Sequence, residues 1–171
     1  MLRTIGALLV VMGAAGTGVG LSVFVRHSAG ILQQLIMSLE QMKSEILFRK
    51  TPLPELTARL AENCGGEVGS FWSEVSDGLR IGQARSVCEV MRRALSGRAA
   101  GSFPAQARRT LQNLGAGLGN YDAAGQVRAV DLALSRLGGL FTELRDEQKS
   151  RMKSYCTLGV CAGLALAILM L

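Results

Sequence analysis

Two long uncharged stretches, one near each end of the chain, most constrain how this sequence can fold. Residues 4–25 form the first, 22 positions in length, and residues 154–171 form the second, 18 positions in length. Since a helix rises about 1.5 Å per residue, the stretches would span about 33 and 27 Å, close to the thickness of a bilayer core. Both are predicted to be transmembrane helices, with residues 1–3 as an N-terminal flank.

The first stretch has an alternative interpretation as a cleaved secretory signal. Gly13, Ala14 and Ala15 would then form a small-residue cleavage site. The apolar run continues past Ala15 to Val25, whereas the apolar region of a signal ends before its cleavage site. An anchor is therefore favoured, and an exported helical domain stays open as the alternative.

Glycine spacing within both stretches predicts close packing of helices in the membrane. Gly16 and Gly20 lie four residues apart, as do Gly159 and Gly163, and Gly13 precedes Gly20 by seven. Small residues at this spacing let two helix backbones approach each other. The alternative is that glycine is simply frequent in membrane helices.

The distribution of basic residues predicts that the region between the stretches, residues 26–153, faces the cytoplasm. Basic residues near the two inner boundaries outnumber those on the outer flanks, which carry only Arg3 and the α-amine. The inner set is Arg26, Lys43, Arg136, Arg145, Lys149, Arg151 and Lys153. An outward-facing domain remains the alternative.

The net charge of +6 favours contact with anionic membrane lipid over nucleic acid. Few aromatic residues lie among the basic ones, and no nucleic-acid recognition motif is present. Lys149, Arg151 and Lys153, just before the second stretch, are the residues expected at the lipid surface.

Apolar residues with helical spacing predict that residues 26–153 form one all-α bundle. The first stripe recurs at intervals of 3, 4, 3 and 4 residues, as on one face of a helix. No segment alternates with a period of two over the length of a strand. The prediction is a membrane-anchored bundle of about six helices, in which the long first and last helices pack antiparallel. The first stripe is Leu32, Leu35, Leu39, Met42 and Ile46, and the last is Val127, Val130, Leu134, Leu137, Phe141 and Leu144.

Helix ends are predicted from proline, glycine and capping residues. Thr51 is assigned as the N-cap of a helix that begins at Pro52, and Cys64–Gly66 ends that helix. Ala84 is assigned to the apolar face of the fourth helix, and Ser96–Pro104 is predicted to be a loop. Glycines are expected at two further helix boundaries: Gly78 and Gly82 on either side of the turn before the fourth helix, and Gly115, Gly117 and Gly119 at the end of the fifth.

No catalytic, metal or cofactor site can be assembled from the sequence. His27 is the one histidine, and Cys64 and Cys88 lie apart without a paired CxxC, although a single bridge between them stays open. The chain is therefore predicted not to be an enzyme, with a small membrane-bound enzyme as the alternative. Scattered carboxylates are interpreted as surface or capping groups, and two basic pairs as solvated faces or as a site for phosphate or an acidic partner. The carboxylates are Glu45, Asp77, Asp122 and Asp131; the basic pairs are Arg92–Arg93 and Arg108–Arg109.

Two segments resemble the stage III sporulation protein AB family of endospore-forming bacteria. One runs from Ser44 to Leu53 and contains Glu45, Ile46, Thr51 and Pro52; the other runs from Leu114 to Asp122 and contains Gly115, Leu118 and Gly119, with Gln126 beyond it. The first segment is the more specific, because its residue spacing, its helix stop and its position after an apolar stretch all agree with the family. The resemblance covers the length of the chain.

The resemblance implies a component of the channel between the mother cell and the engulfed forespore, in the mother-cell membrane. It also implies that the central domain is similar to the helical cytoplasmic domain of the platform protein of type II secretion and type IV pilus machines. By that analogy the domain would contact a secretion-type ATPase, the stage III sporulation protein AA of the same system, and other membrane proteins of the complex. The family brings no catalytic residues with it, and self-association into a homo-oligomer is compatible with it.

Overall fold

The computed structural model describes residues 27–49, 51–82, 86–120 and 122–170, without the side chains of residues 120 and 148–170. Six α-helices and no strand occur in these ranges, which confirms the predicted all-α class. The first helix, α1, covers residues 27–44. The others are α2 (Leu53–Asn63), α3 (Gly66–Arg80), α4 (Val87–Leu95), α5 (Ala105–Asn120) and α6 (Ala123–Met170). The chain divides into two units, one formed by Ser28–Phe141 and the other containing α6 from Thr142 onward.

The predicted stripe of α1 is confirmed as part of the core. Leu32, Leu35, Leu39 and Met42 are fully buried, and Ile46 is nearly so. After residue 44 the α-helix continues as one π-helical turn, Glu45–Arg49. A π-turn contains more residues per turn than an α-helix, so it changes which side chains point inward.

α2 and α3 form an antiparallel pair. The hydroxyl of Ser76, near the end of α3, donates to the carbonyl of Pro54 at the start of α2, over 3.1 Å. Cys64 follows the last residue of α2, as predicted, and Gly66 begins α3 with a φ of +59°, a conformation that suits glycine. The sharp reversal therefore depends on Gly66.

Several glycines that were predicted to mark helix boundaries lie inside helices. Gly78 belongs to α3, where a β-carbon would meet the side chain of Val90 in α4. Gly115, Gly117 and Gly119 belong to α5, and Gly115 faces Met91 and Cys88 of α4. Glycine at positions 78 and 115 permits α4 to approach α3 and α5 closely. The turn before α4 does contain Gly82, with a φ of +65°, while Ala84 lies outside the described residues.

The predicted loop between α4 and α5 contains a short 3₁₀-helix, Ala99–Ser102. Ala100 is fully buried and Phe103 nearly so, and the Phe103 ring meets that of Phe71 edge to face with centroids 5.6 Å apart. Phe71 in turn meets Trp72 at 4.9 Å. The segment therefore closes one side of the core.

Trp72 connects α3 to α1 inside the core. The ring is fully buried, and its Nε1–H donates to the Ser38 hydroxyl over 3.1 Å. Ser38 is also buried and donates to the Leu35 carbonyl over 2.8 Å. Both polar groups are thus satisfied, as buried groups must be if they are not to destabilise the fold.

α6 follows α5 and lies beside α1. The Gln126 side chain donates to the Leu118 carbonyl of α5 over 3.0 Å, and Lys43 of α1 forms a 2.6 Å ion pair with Asp131. The end of α1 therefore lies beside the first part of α6, as the predicted antiparallel packing requires. Among the residues that were described, no helix has both the length and the hydropathy needed to cross a membrane. Residues 4–25 of the predicted first span, with Gly13, Gly16 and Gly20, lie outside those residues.

The helices of the unit Ser28–Phe141 alternate in direction, which gives it two distinct ends. α4 runs against α5, because Gly115 faces Met91 and Gly119 faces Val87. α3 runs against α4, because Gly78 faces Val90 while Gly97, just after α4, faces Glu74. The turn end contains the π-turn Glu45–Arg49 and the corner between α5 and α6. The opposite end contains the end of α4 and the start of α5.

Candidate functional site

Glu45 is the centre of a polar cluster at the turn end, formed with Arg49, Thr51 and Arg59 and named here the Glu45 cluster. Only 9% of Glu45 is exposed. Its carboxylate accepts from the Thr51 hydroxyl at 2.7 Å and from Arg49 Nη1 at 3.2 Å, and Arg59 Nη1 lies 3.8 Å away. A carboxylate removed from water needs such donors. The Glu45 side chain therefore contacts the π-turn through Arg49, the connection after the turn through Thr51, and α2 through Arg59.

Thr51 is not the N-cap that its position before Pro52 predicts. Pro52 itself occupies the cap position, and no side chain caps the first turn of α2. The Thr51 hydroxyl donates to the Glu45 carboxylate instead, a charge-assisted hydrogen bond that holds the side chain toward the π-turn. Leu53 begins α2 and is half-buried.

Replacing Thr51 by alanine is expected to lower the free energy of unfolding by about 1–2 kcal/mol, through loss of a hydrogen bond to a charged acceptor. Thr51→Ser, which keeps the hydroxyl, should cost less. The measurement is denaturant unfolding of the purified chain, repeated in a Glu45→Ala background. An equal loss in both backgrounds would show that the bond to Glu45 carries none of the effect.

Leu47 and Phe48 are displayed to solvent by the same π-turn and are named here the apolar turn. Phe48 is 83% exposed and Leu47 is 49% exposed, while their neighbours Glu45 and Ile46 are buried. Phe48 is the most exposed of the large apolar side chains that the structure describes; the others are Met37, Ile81 and Leu132. Single π-turns occur frequently at functional sites, where they present side chains that a regular helix would hold elsewhere. The apolar turn, with the exposed Arg49 beside it, has the composition of a protein-binding surface.

The second segment of the resemblance builds the corner between α5 and α6. Leu114 and Leu118 are buried, and Asp122 accepts from the Gly125 backbone N–H over 3.0 Å at the start of α6. Gln126 satisfies the Leu118 carbonyl across the corner. These residues have structural roles, and no contact recorded in the structure joins them to the Glu45 cluster.

The described ranges contain no cluster of side chains that could hold a metal ion. No group of three or more potential metal ligands occurs there, and Cys64 and Cys88 are free thiols. Burial raises the pKa of the Cys64 thiol, which keeps it protonated and unreactive at neutral pH. Of the predicted membrane-packing glycines, Gly159 and Gly163 fall in the helical backbone of α6.

The fold brings residues from the two basic pairs close together. Arg92 from the first pair and both Arg108 and Arg109 from the second line one cavity between α4 and α5. Sequence reasoning treated the pairs separately, since 15 residues lie between Arg92 and Arg108. The antiparallel packing of α4 and α5 brings them together.

Two comparisons of sequence with known proteins agree over nearly the whole chain. The family model described as stage III sporulation protein AB matches residues 3–171. The stage III sporulation protein AB of Bacillus subtilis (strain 168) is 25% identical over 173 residues, covering 100% of both chains.

A solved structure of a stage III sporulation protein AB has the same fold. It superposes with a TM-score of 0.66 at 22% identity and covers 72% of this chain and 98% of its own. The family match spans almost every residue and includes both segments on which the resemblance was based. The chain belongs to the stage III sporulation protein AB family, and a role in sporulation follows from that membership.

Proposed function

We propose that this protein is a non-enzymatic platform component of the channel complex between mother cell and forespore. It sits in the mother-cell membrane and docks the secretion-type ATPase, stage III sporulation protein AA, through the apolar turn. The observation that carries the proposal is the exposure of Leu47 and Phe48 on the π-turn. The polar residues of that turn, Glu45 and Arg49, are paired with each other, and Glu45 also accepts from Thr51.

The Glu45 cluster supports docking because it makes the apolar turn rigid. Glu45 holds Arg49 and Thr51, which flank the exposed pair, and Arg59 ties the turn to α2. A preorganised surface loses little conformational entropy on binding. Arg49 stays 66% exposed in its side chain and would favour a partner surface that carries acidic residues around an apolar centre.

Membrane attachment is supported by the two uncharged stretches and by the course of α6. That helix continues without interruption from the bundle at Ala123 to Met170, and so it includes most of the predicted second span, residues 154–171. The basic residues before that span favour a cytoplasmic bundle, which is the side on which an ATPase would find its nucleotide.

Replacing Phe48 by serine is expected to reduce co-purification of the ATPase by at least about tenfold, as loss of a central aromatic anchor would. The chain should melt at an unchanged temperature, since Phe48 contributes little to the core. Leu132→Ser is the matched control, because Leu132 is also an exposed apolar residue but lies on α6. Full recovery of the ATPase with Phe48→Ser would contradict docking at the apolar turn. Dissociation of a homo-oligomer with full ATPase recovery would assign the turn to a second copy of the chain.

A further inference from the structure

The two pairs of helices between α1 and α6 carry opposite charge. Residues 53–80, which include α2 and α3, contain five acidic side chains and two arginines. Residues 87–120, which include α4 and α5, contain five arginines and one acidic side chain, Glu89. The overall charge of +6 therefore conceals a separation of charge within the bundle.

Three arginines of α4 and α5 form what we call the basic surface: Arg92, Arg108 and Arg109. All three are exposed, and they border the same cavity between the two helices. Among the residues that the structure describes, none of the three takes part in an ion pair. No carboxylate borders the cavity with them. Their charge is therefore available to a partner molecule.

Three carboxylates of α2 and α3 form what we call the acidic surface: Glu62, Glu74 and Asp77. Glu62 and Glu74 border one cavity between the end of α2 and α3, and Asp77 follows Glu74 by about one helical turn. All three are exposed, and the ion pairs of the described residues include none of them. Arg59 of α2 does not neutralise them, because it is paired with Glu45 and Glu55.

The acidic surface reaches the border between α3 and α4. A β-carbon at Gly97, just after α4, would lie 2.5 Å from Glu74 Oε2. The Glu74 carboxylate therefore lies beside the end of the helix that carries Arg92. Within one copy the opposite charges stay unpaired across this border. A two-fold rotation about the border would place each acidic surface opposite the basic surface of the other copy.

We propose that a second copy of this chain docks on the basic surface through its own acidic surface. A two-fold arrangement forms the contact twice, with three carboxylates opposite three guanidinium groups each time. A single exposed ion pair contributes little to affinity, so the contact depends on the pairs acting together. Complementary charge makes such a contact specific and sensitive to salt. The inference goes beyond the proposed function and uses none of the residues of the apolar turn.

The first test is the salt dependence of self-association, measured by sedimentation velocity of the full chain in a nonionic detergent. The screening length falls from about 10 Å at about 0.1 M salt to about 3 Å at about 1 M. Self-association should therefore weaken at least about tenfold over this range. A chain that is monomeric at the lower salt concentration, or that associates equally at both, would overturn the proposal.

Charge reversal tests the two surfaces directly. Each surface variant alone should self-associate at least about tenfold more weakly than the wild type, because like charges then oppose each other. An equimolar mixture of the two variants should recover the wild-type association, which also shows that both are folded. The basic-surface variant is Arg92→Glu with Arg108→Glu and Arg109→Glu, and the acidic-surface variant is Glu62→Arg with Glu74→Arg and Asp77→Arg. The matched control reverses three exposed arginines of α6: Arg128→Glu, Arg136→Glu and Arg145→Glu.

Three results would overturn the proposal: equal self-association by the wild type and both surface variants, equal weakening by the control, or no recovery in the mixture. Loss of the ATPase from the basic-surface variant with self-association unchanged would overturn it in favour of the ATPase as the occupant. Phe48→Ser should leave self-association unchanged and the surface variants should retain the ATPase, so failure of either proposal is visible without the other.

Discussion

Trp72→Ala should lower the free energy of unfolding by about 3–5 kcal/mol, the cost of removing a large aromatic side chain from a packed core. Trp72 is fully buried and contacts the Phe71 ring. A domain with an ordinary free energy of unfolding, about 5–15 kcal/mol, would lose a large part of it. Denaturant unfolding of the purified chain, followed by circular dichroism, measures the effect.

Trp72→Phe separates packing from hydrogen bonding at the same position. The phenyl ring keeps most of the apolar contact but removes the Nε1–H that donates to Ser38. Ser38 still donates to the Leu35 carbonyl, so we expect a smaller loss of about 1–2 kcal/mol. A loss below about 1 kcal/mol for Trp72→Ala would contradict the packing of α1 against α3 through this residue.

Gly115→Ala is expected to destabilise the bundle by about 1–3 kcal/mol, although alanine is the better helix former. A β-carbon at Gly115 would lie 2.8 Å from the Met91 β-carbon and 3.4 Å from the Cys88 α-carbon. These atoms belong to the backbone, or attach directly to it, so relief requires α4 and α5 to move apart. The melting temperature of the purified variant measures the result.

Gly139→Ala is the matched control, and it should raise the free energy of unfolding where Gly115→Ala lowers it. Gly139 also lies inside a long helix, but apart from the adjacent backbone of that helix nothing lies within 4 Å of the position its β-carbon would take. The substitution should therefore stabilise by about 0.5–1 kcal/mol, through helix propensity alone. Stabilisation by both substitutions would show that α4 and α5 are not in close contact at Gly115.

The apolar stripes were predictable because they depend only on the period of a helix. The spacing of Leu32, Leu35, Leu39 and Met42 is a local property, and the structure buries all four. The two ends of α2 were predictable for the same reason, since Pro52 at its start and Cys64–Gly66 after its last residue act on their own backbone. Gly115 misled the prediction because a glycine in sequence signals a helix end as readily as a close approach of two helices, and only the packing distinguishes them.

The candidate sites were less predictable because they depend on contacts between distant residues. Glu45 and Arg49 have the four-residue spacing of a helical ion pair, and that signal was available. The approach of Thr51 and Arg59 to the same carboxylate depends on the path of the chain after the π-turn. The position of Arg92 beside Arg108 and Arg109 likewise requires the antiparallel packing of α4 and α5, which no local pattern contains.

The most direct test of the platform account is the accessibility of position 48 in sporulating cells. Phe48→Cys would be introduced into a chain in which Cys64, Cys88, Cys156 and Cys161 are replaced by alanine or serine, with Leu132→Cys in the same background as the control. A membrane-impermeant maleimide would be applied to intact and to permeabilised cells, with and without stage III sporulation protein AA. The account predicts labelling of position 48 only after permeabilisation and its protection by the ATPase, with no protection of position 132. Labelling of position 48 in intact cells, or equal labelling with and without the ATPase, would contradict it.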